Sequence, residues 1–133
     1  MPGCVLRVSG ERFLPDPLLA RLSFKPYLVF RKGEERLGRT ETASGFAATV
    51  SDRDGADLAG QVADALAFLK LHAATLGTLA GEPSVDDRVL DFGIFQRIGS
   101  GGIAVQCDRL PADLLRAAGA VNLDVEITQY ESP

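Results

Sequence analysis

The chain has 133 residues, 46% of them hydrophobic and 24% charged. That is the balance of one ordinary globular domain, long enough to bury a core, and it excludes a disordered chain. The formal net charge of −4 argues against nucleic-acid binding through bulk charge.

The charge is unevenly spread. Residues 1–50 hold eight Lys/Arg against five Asp/Glu, and residues 51–133 hold six against thirteen. Either the protein presents oppositely charged faces, as a partner-binding module does, or the halves interleave in the fold and average out. Two cysteines, Cys4 and Cys107, are too few for a disulfide scaffold, and Met1–Gly10 has no apolar run of signal-peptide length. A cytoplasmic protein with reduced thiols is expected.

In chain order, Cys4–Ser9 alternates, with Cys4, Leu6 and Val8 on one side and Arg7 and Ser9 on the other, which predicts a half-buried strand. Leu14-Pro15-Asp16-Pro17 opens a short helix with Leu18, Leu19 and Leu22 as its apolar face, ended by Pro26. Tyr27–Lys32 reads as a second strand closed by Gly33, Glu34–Ser44 as an exposed loop of mixed charge, and Gly45–Ser51 as a third strand.

Asp57–Leu79 dominates the chain. Leu58, Val62, Ala65, Leu66, Leu69, Ala73 and Leu76 fall three or four apart on one stripe, which predicts a single amphipathic helix roughly 30 Å long. Asp54 is its expected N-cap, Gly77 or Gly81 its stop, and Leu66 and Leu69 its deepest positions. Asp64 and Lys70 interrupt the run, so it does not read as a membrane span.

Beyond Pro83, Arg88–Ile98 predicts a strand with Leu90, Phe92, Ile94 and Ile98 inward. Gly99–Gly102 turns the chain and Ile103–Cys107 is expected to pair back as a hairpin. Leu110-Pro111 opens another short helix, stopped by Gly119, and Leu123–Tyr130 is the last strand.

The order predicts a single α+β domain over residues 1–133. It is a two-layer sandwich with one mostly antiparallel sheet of about six strands and three helices on one face, and its first six elements follow the ferredoxin-like pattern. An internal echo accompanies this order. Leu14-Pro15-x-x-Leu18-Leu19 returns as Leu110-Pro111-x-x-Leu114-Leu115, behind Glu11-Arg12 and Asp108-Arg109 respectively; the reading is two similar strand–helix–strand units around the long helix.

Several segments together carry a family likeness: a Pro-led helix ending in Lys25-Pro26, a strand closing in Arg31-Lys32-Gly33, Ser44-Gly45-Phe46 opening another, the long helix, and an alternating acidic strand closing in Tyr130. In these the chain resembles the bacterial domain-of-unknown-function family 4279, over nearly its whole length. The family's usual Trp after Ser-Gly is Phe46 here. The resemblance implies no established activity, and it implies a likeness to members that look like immunity proteins encoded beside toxins.

Residues with chemistry form no catalytic, cofactor or metal constellation. His72 is the only histidine, with no Cys or carboxylate at ligand spacing, and it reads as structural. Cys4 and Cys107 are expected on inward strand faces as small hydrophobes. Gly99-Ser100-Gly101-Gly102-Ile103-Ala104 matches G-x-G-x-x-A but runs into a predicted strand, not a helix, so it lacks the context of a dinucleotide loop. Asp91, Asp124 and Glu126 are expected to point outward, as a solvent face or as a carboxylate pair able to bind metal or exchange protons.

Arg31, Lys32, Arg36 and Arg39, interleaved with Glu34, Glu35 and Glu41, make the one candidate partner-binding segment. The expectation is a non-enzymatic protein-binding module, immunity-type or regulatory, with no cofactor, nucleic acid or membrane involved. The alternatives are a small-molecule or enzymatic domain with a pocket between the open sheet face and the Glu34–Ser44 loop, and a homodimer built on a sheet edge.

Overall fold

The computed structural model describes residues 2–133; Met1, where the expected absence of a signal peptide begins, lies outside them. The elements run β1 (Gly3–Gly10), α1 (Asp16–Leu19), β2 (Leu28–Phe30), β3 (Glu35–Arg36), β4 (Arg39–Thr40), β5 (Ser44–Ser51), α2 (Leu58–Leu71), α3 (Ala73–Ala80), β6 (Asp87–Phe95), α4 (Ala112–Ala120) and β7 (Asp124–Tyr130). Five strands form the main sheet in the order β2-β5-β1-β6-β7, and β3 and β4 form a separate two-stranded ribbon. Every neighbouring pair in the main sheet is antiparallel except β6 with β7, which is parallel.

The alternation in β1 sets the layers. Cys4, Leu6 and Val8 lie opposite Leu90 and Phe92 of β6 and Phe46 and Ala48 of β5, and all seven are buried. Val62, Ala65 and Leu69 of α2, Leu76 and Leu79 of α3, and Leu114 and Ala118 of α4 join them in one core. Helices therefore cover this face, while Val5, Arg7 and Asp91 look out on the other. At Gly45 a Cβ would stand 2.1 Å from the Val8 carbonyl oxygen, so only glycine permits this approach of β5 to β1.

The structure corrects the sequence expectations in three parts of the fold, and Ile98, expected inward, lies beyond β6 and is exposed. The helix predicted as Asp57–Leu79 is two helices bent by 80°. Asp57, not Asp54, caps α2, accepting the Gly60 N–H at 2.9 Å, while Asp54 takes the Ala56 N–H at 2.8 Å. A straight helix of that span would run past eight-residue strands of about 26 Å. The bend at His72 turns the chain back so that Leu76 and Leu79 reach the core. Leu69 is buried but Leu66 is only half-buried at its margin. Gly81 ends α3, and the Arg88 guanidinium donates to the Leu79 and Glu82 carbonyls at 2.9 Å each, satisfying groups the helix end leaves free.

The second correction concerns the strand count. Ile103–Cys107 is not a strand, so the sheet has five strands rather than six, and the broken helix makes four helices rather than three. Both edges of β6 are taken, by β1 and by β7, so no edge remains for a hairpin partner. Residues 99–103 instead close on themselves, the Gly99 N–H donating to the Ile103 carbonyl at 2.8 Å. Gln106 then binds back to the end of β6, its oxygen accepting the Arg97 N–H at 2.8 Å.

Third, the echo holds for the two Pro-led helices but not for the strands ahead of them. α1 follows β1 closely, whereas α4 follows the irregular segment 96–111. Among the described residues no single helix is long and apolar enough to cross a membrane.

Candidate functional site

The expected loop Glu34–Ser44 contains the β3–β4 ribbon, whose strand residues are all exposed. Its base is fixed. The Gly33 N–H donates to the Glu41 carbonyl at 2.8 Å, the Glu41 N–H to the Glu34 carbonyl at 2.7 Å, and the Lys32 N–H to the Ser44 hydroxyl at 2.8 Å. Its tip is a two-residue turn. Leu37 (φ 53°) and Gly38 (φ 75°) both take left-handed backbone, the geometry of a type I′ hairpin that favours Asn-Gly. Arg36 and Arg39 face each other directly across the strands, and Leu37 is 90% exposed.

The four cations read from the sequence lie along this segment but are not equivalent. Arg31 grips Asp16 at 2.6 and 3.0 Å and reaches Glu34 at 3.5 Å. Hydrogen bonding from Arg31 holds the Asp16 carboxyl below its ordinary pKa. Lys32 meets Glu11 at 3.3 Å. Arg36 donates to Glu41 at 2.7 Å and lies 5.7 Å from the centre of the Phe30 ring. Arg39 has no ion pair or hydrogen-bond partner for its side chain among the described residues. Three of the four cations thus have carboxylate partners within the chain. Among the described residues Arg39 has none, and it stands beside Leu37, a residue the sequence reading did not single out.

On the uncovered sheet face, a guanidinium occupies the place a metal between outward carboxylates would need. Arg7 donates to Asp91 at 2.6 Å and to Glu126 at 2.8 Å, and the Thr128 hydroxyl donates to the other Asp91 oxygen at 2.8 Å. Burial works against the Arg7 charge, but hydrogen bonds and the charges of Asp91 and Glu126 outweigh it and raise its pKa. Asp91 is not on a solvent face as expected: it points outward by strand parity, yet Arg7 and Thr128 leave it only 6% exposed, while Asp124 stays exposed. A cleft of about 470 Å³ lies beside this network, with Val5, Tyr27, Thr49 and Tyr130 among its walls. The Glu34–Ser44 loop borders a different hollow, of about 620 Å³, with Glu11, Lys32, Glu41 and Asp86.

His72 sits at the α2–α3 bend, its Nδ1 2.8 Å from the Ser23 hydroxyl, which also meets the Thr75 hydroxyl at 2.7 Å. Its ring packs 5.2 Å from Phe24 and 4.5 Å from Phe68, centre to centre. Among the described residues no carboxylate hydrogen-bonds the ring, the third member a hydrolytic triad would need, and these contacts hold the ring at the bend. Cys4 is buried, and burial, with the charges of Asp91 and Asp64, raises its thiol pKa well above the ordinary value. Cys107, expected inward, is exposed, because the strand meant to bury it does not form. Among the described residues no group of three His, Cys, Asp or Glu side chains is placed to hold a metal ion.

No curated protein and no solved structure matches the chain. A family model, described as a domain of unknown function (DUF4279), matches residues 2–132. With that match over nearly its full length, the chain belongs to the DUF4279 family.

Proposed function

We propose that this protein is a non-enzymatic, cytoplasmic protein-binding module, immunity-type or regulatory, that meets its partner through the segment carrying Arg31, Lys32, Arg36 and Arg39. The observation that carries the reading is the cross-strand placement of Arg36 against Arg39. Like charges directly opposite in a ladder destabilise it, and only Arg36 has a carboxylate to relieve the repulsion, Glu41 at 2.7 Å. An unrelieved charge on an exposed ribbon is a feature that a partner's carboxylates would answer. The first six elements are read as ferredoxin-like, with β3, β4 and the α2–α3 break as elaborations. The strand order β2-β5-β1-β6, antiparallel throughout, supports that reading.

The test is a pull-down from the source cells with the full chain and with the Arg36→Glu/Arg39→Glu double variant, followed by titration of each identified partner across salt concentrations. The reading expects affinity to fall with salt for the native chain and to collapse for the variant. Unchanged affinity at every salt concentration removes it.

A second reading, a small-molecule or enzymatic site, draws on the open-face cleft, where the buried carboxylate of Asp91 stands beside Arg7, Tyr27 and Tyr130. The cleft's walls are mixed, with Arg7, Thr49, Ser51, Asp52 and Asp91 beside Val5, Tyr27 and Tyr130, more polar than the mostly apolar lining usual in such sites.

A further inference from the structure

We infer that Leu37 is the anchor of the interface, and that the partner is a protein whose docking pocket is apolar and rimmed by carboxylates. The inference rests on the protein-binding reading above and specifies the chemistry of its partner. It comes from four consecutive residues, Arg36-Leu37-Gly38-Arg39, which break the rules of hairpin stability in three separate ways.

First, a type I′ turn needs positive φ at both central residues, a demand met cheaply by Asn, Asp or Gly. Here the first position is Leu37, at φ 53°. Second, a large aliphatic side chain is 90% exposed, where it gains nothing from burial. Third, the two residues that close the turn carry the same charge and face each other. The backbone strain and the facing charges cost the free domain stability, the exposed side chain gains it almost nothing, and only the Arg36 charge is answered within the domain, by Glu41 at 2.7 Å. Backbone strain, an exposed aliphatic and an unrelieved charge at one point mark a site whose partner lies elsewhere.

The chemistry of the tip selects the partner. A leucine presented on a narrow two-stranded ribbon fits a pocket, not a flat surface, and the burial it lacks here is what an apolar pocket supplies. Arg39, lacking a carboxylate, and Arg36, shared with Glu41, flank it on both strands, so the rim of that pocket should carry acids. A phosphate backbone would answer the arginines but not the leucine, and the net charge of −4 opposes a polyanion. The ribbon base, pinned through Gly33, Lys32 and Glu41, holds the tip ready, so little ordering is needed on binding.

The experiment places a photoreactive phenylalanine analogue at position 37 of the full chain in the source cells, with the same analogue at Arg116 of α4 as the control. The protein cross-linked at 37 is purified, the attachment point mapped, and its affinity titrated for the native chain, Leu37→Asn and Arg39→Glu. The expected result is an attachment point in an apolar pocket bordered by Asp or Glu. Leu37→Asn should lose at least tenfold in affinity while its melting temperature holds or rises. Arg39→Glu should lose affinity and its salt dependence together. Full affinity of Leu37→Asn overturns the anchor while leaving the protein-binding reading intact. A nucleic acid at position 37, or an adduct no stronger than at Arg116, overturns the inference. Absence of any protein adduct at 37, together with a double variant at Arg36 and Arg39 that captures the same proteins as the native chain, overturns both.

Discussion

Replacing Leu37 with asparagine should make the isolated protein more stable, although nothing in the core is touched. An L-residue held in left-handed backbone costs roughly 1–2 kcal/mol relative to the right-handed region, and asparagine recovers part of that because its short polar side chain tolerates the conformation. Against this stands lost burial. Full burial of a leucine is worth about 1.5–3 kcal/mol, and Leu37 is 90% exposed, so about a tenth of that, some 0.2–0.3 kcal/mol, is forfeited. The balance is a gain of roughly 0.5–1 kcal/mol, and for a chain of this length a rise in melting temperature of about 2–4 °C. Calorimetry and urea unfolding on the purified chain measure it, with the urea slope checked for constancy. A loss of more than about 1 kcal/mol would refute the reasoning, because it would mean that Leu37 packs on the domain and its exposure and backbone strain do not set its energetics.

Further outcomes follow from the packing and the titrating groups. Leu69→Ala should cost about 2–5 kcal/mol, and Leu66→Ala, at the margin of the core, clearly less; equal losses in urea unfolding would contradict the burial of the two positions. A thiol reagent should modify one cysteine, Cys107, in the native protein and a second, Cys4, only on unfolding; two fast thiols would disprove the closed core around β1. The depressed pKa of Asp16, caused first by its hydrogen bonds from Arg31, makes a small contribution that is present above the unfolded carboxylate range and lost as pH falls through the lower folded value. Arg31→Met should therefore flatten the acid side of the stability profile at low salt, and identical profiles would show the pair to be energetically silent.

The parts of the fold legible in sequence were those that local pattern decides. Cys4, Leu6 and Val8 alternate into the core as expected, and Leu90 and Phe92 face them across the ladder. The bend at His72 was not legible, because Ala73 and Leu76 keep the same helical phase as Leu69. The turn comes from Leu76 and Leu79 packing into the core and from Phe68 and the sequence-distant Ser23 and Phe24 gathering around the histidine. Ile103 and Val105 alternate as a strand does, but the edge they would have joined belongs to β7, and competition for an edge has no local signature. Strand parity puts Asp91 on the outward side, as it is, but its cover by Arg7 and Thr128 comes from two other strands and has no local signature.

The candidate site shows the same division. The cations Arg31, Lys32, Arg36 and Arg39 are visible in the sequence as a cluster, but their partners are not. Asp16, Glu11 and Glu41 draw three of them into the scaffold, and only the register of β3 with β4 reveals that the fourth is set against Arg36. A glycine after Leu37 signals a turn, yet the handedness that makes leucine costly there follows only once the strands are paired two residues apart. The base of the ribbon obeys every rule of stable structure and its tip breaks several. Because the tip contributes nothing to the core, stability alone would let Leu37 and Arg39 be exchanged for cheaper residues without loss. On the proposed reading an interaction outside the chain accounts for their presence, and a ribbon already held in shape by its base would meet it with most of its conformational entropy cost paid in folding.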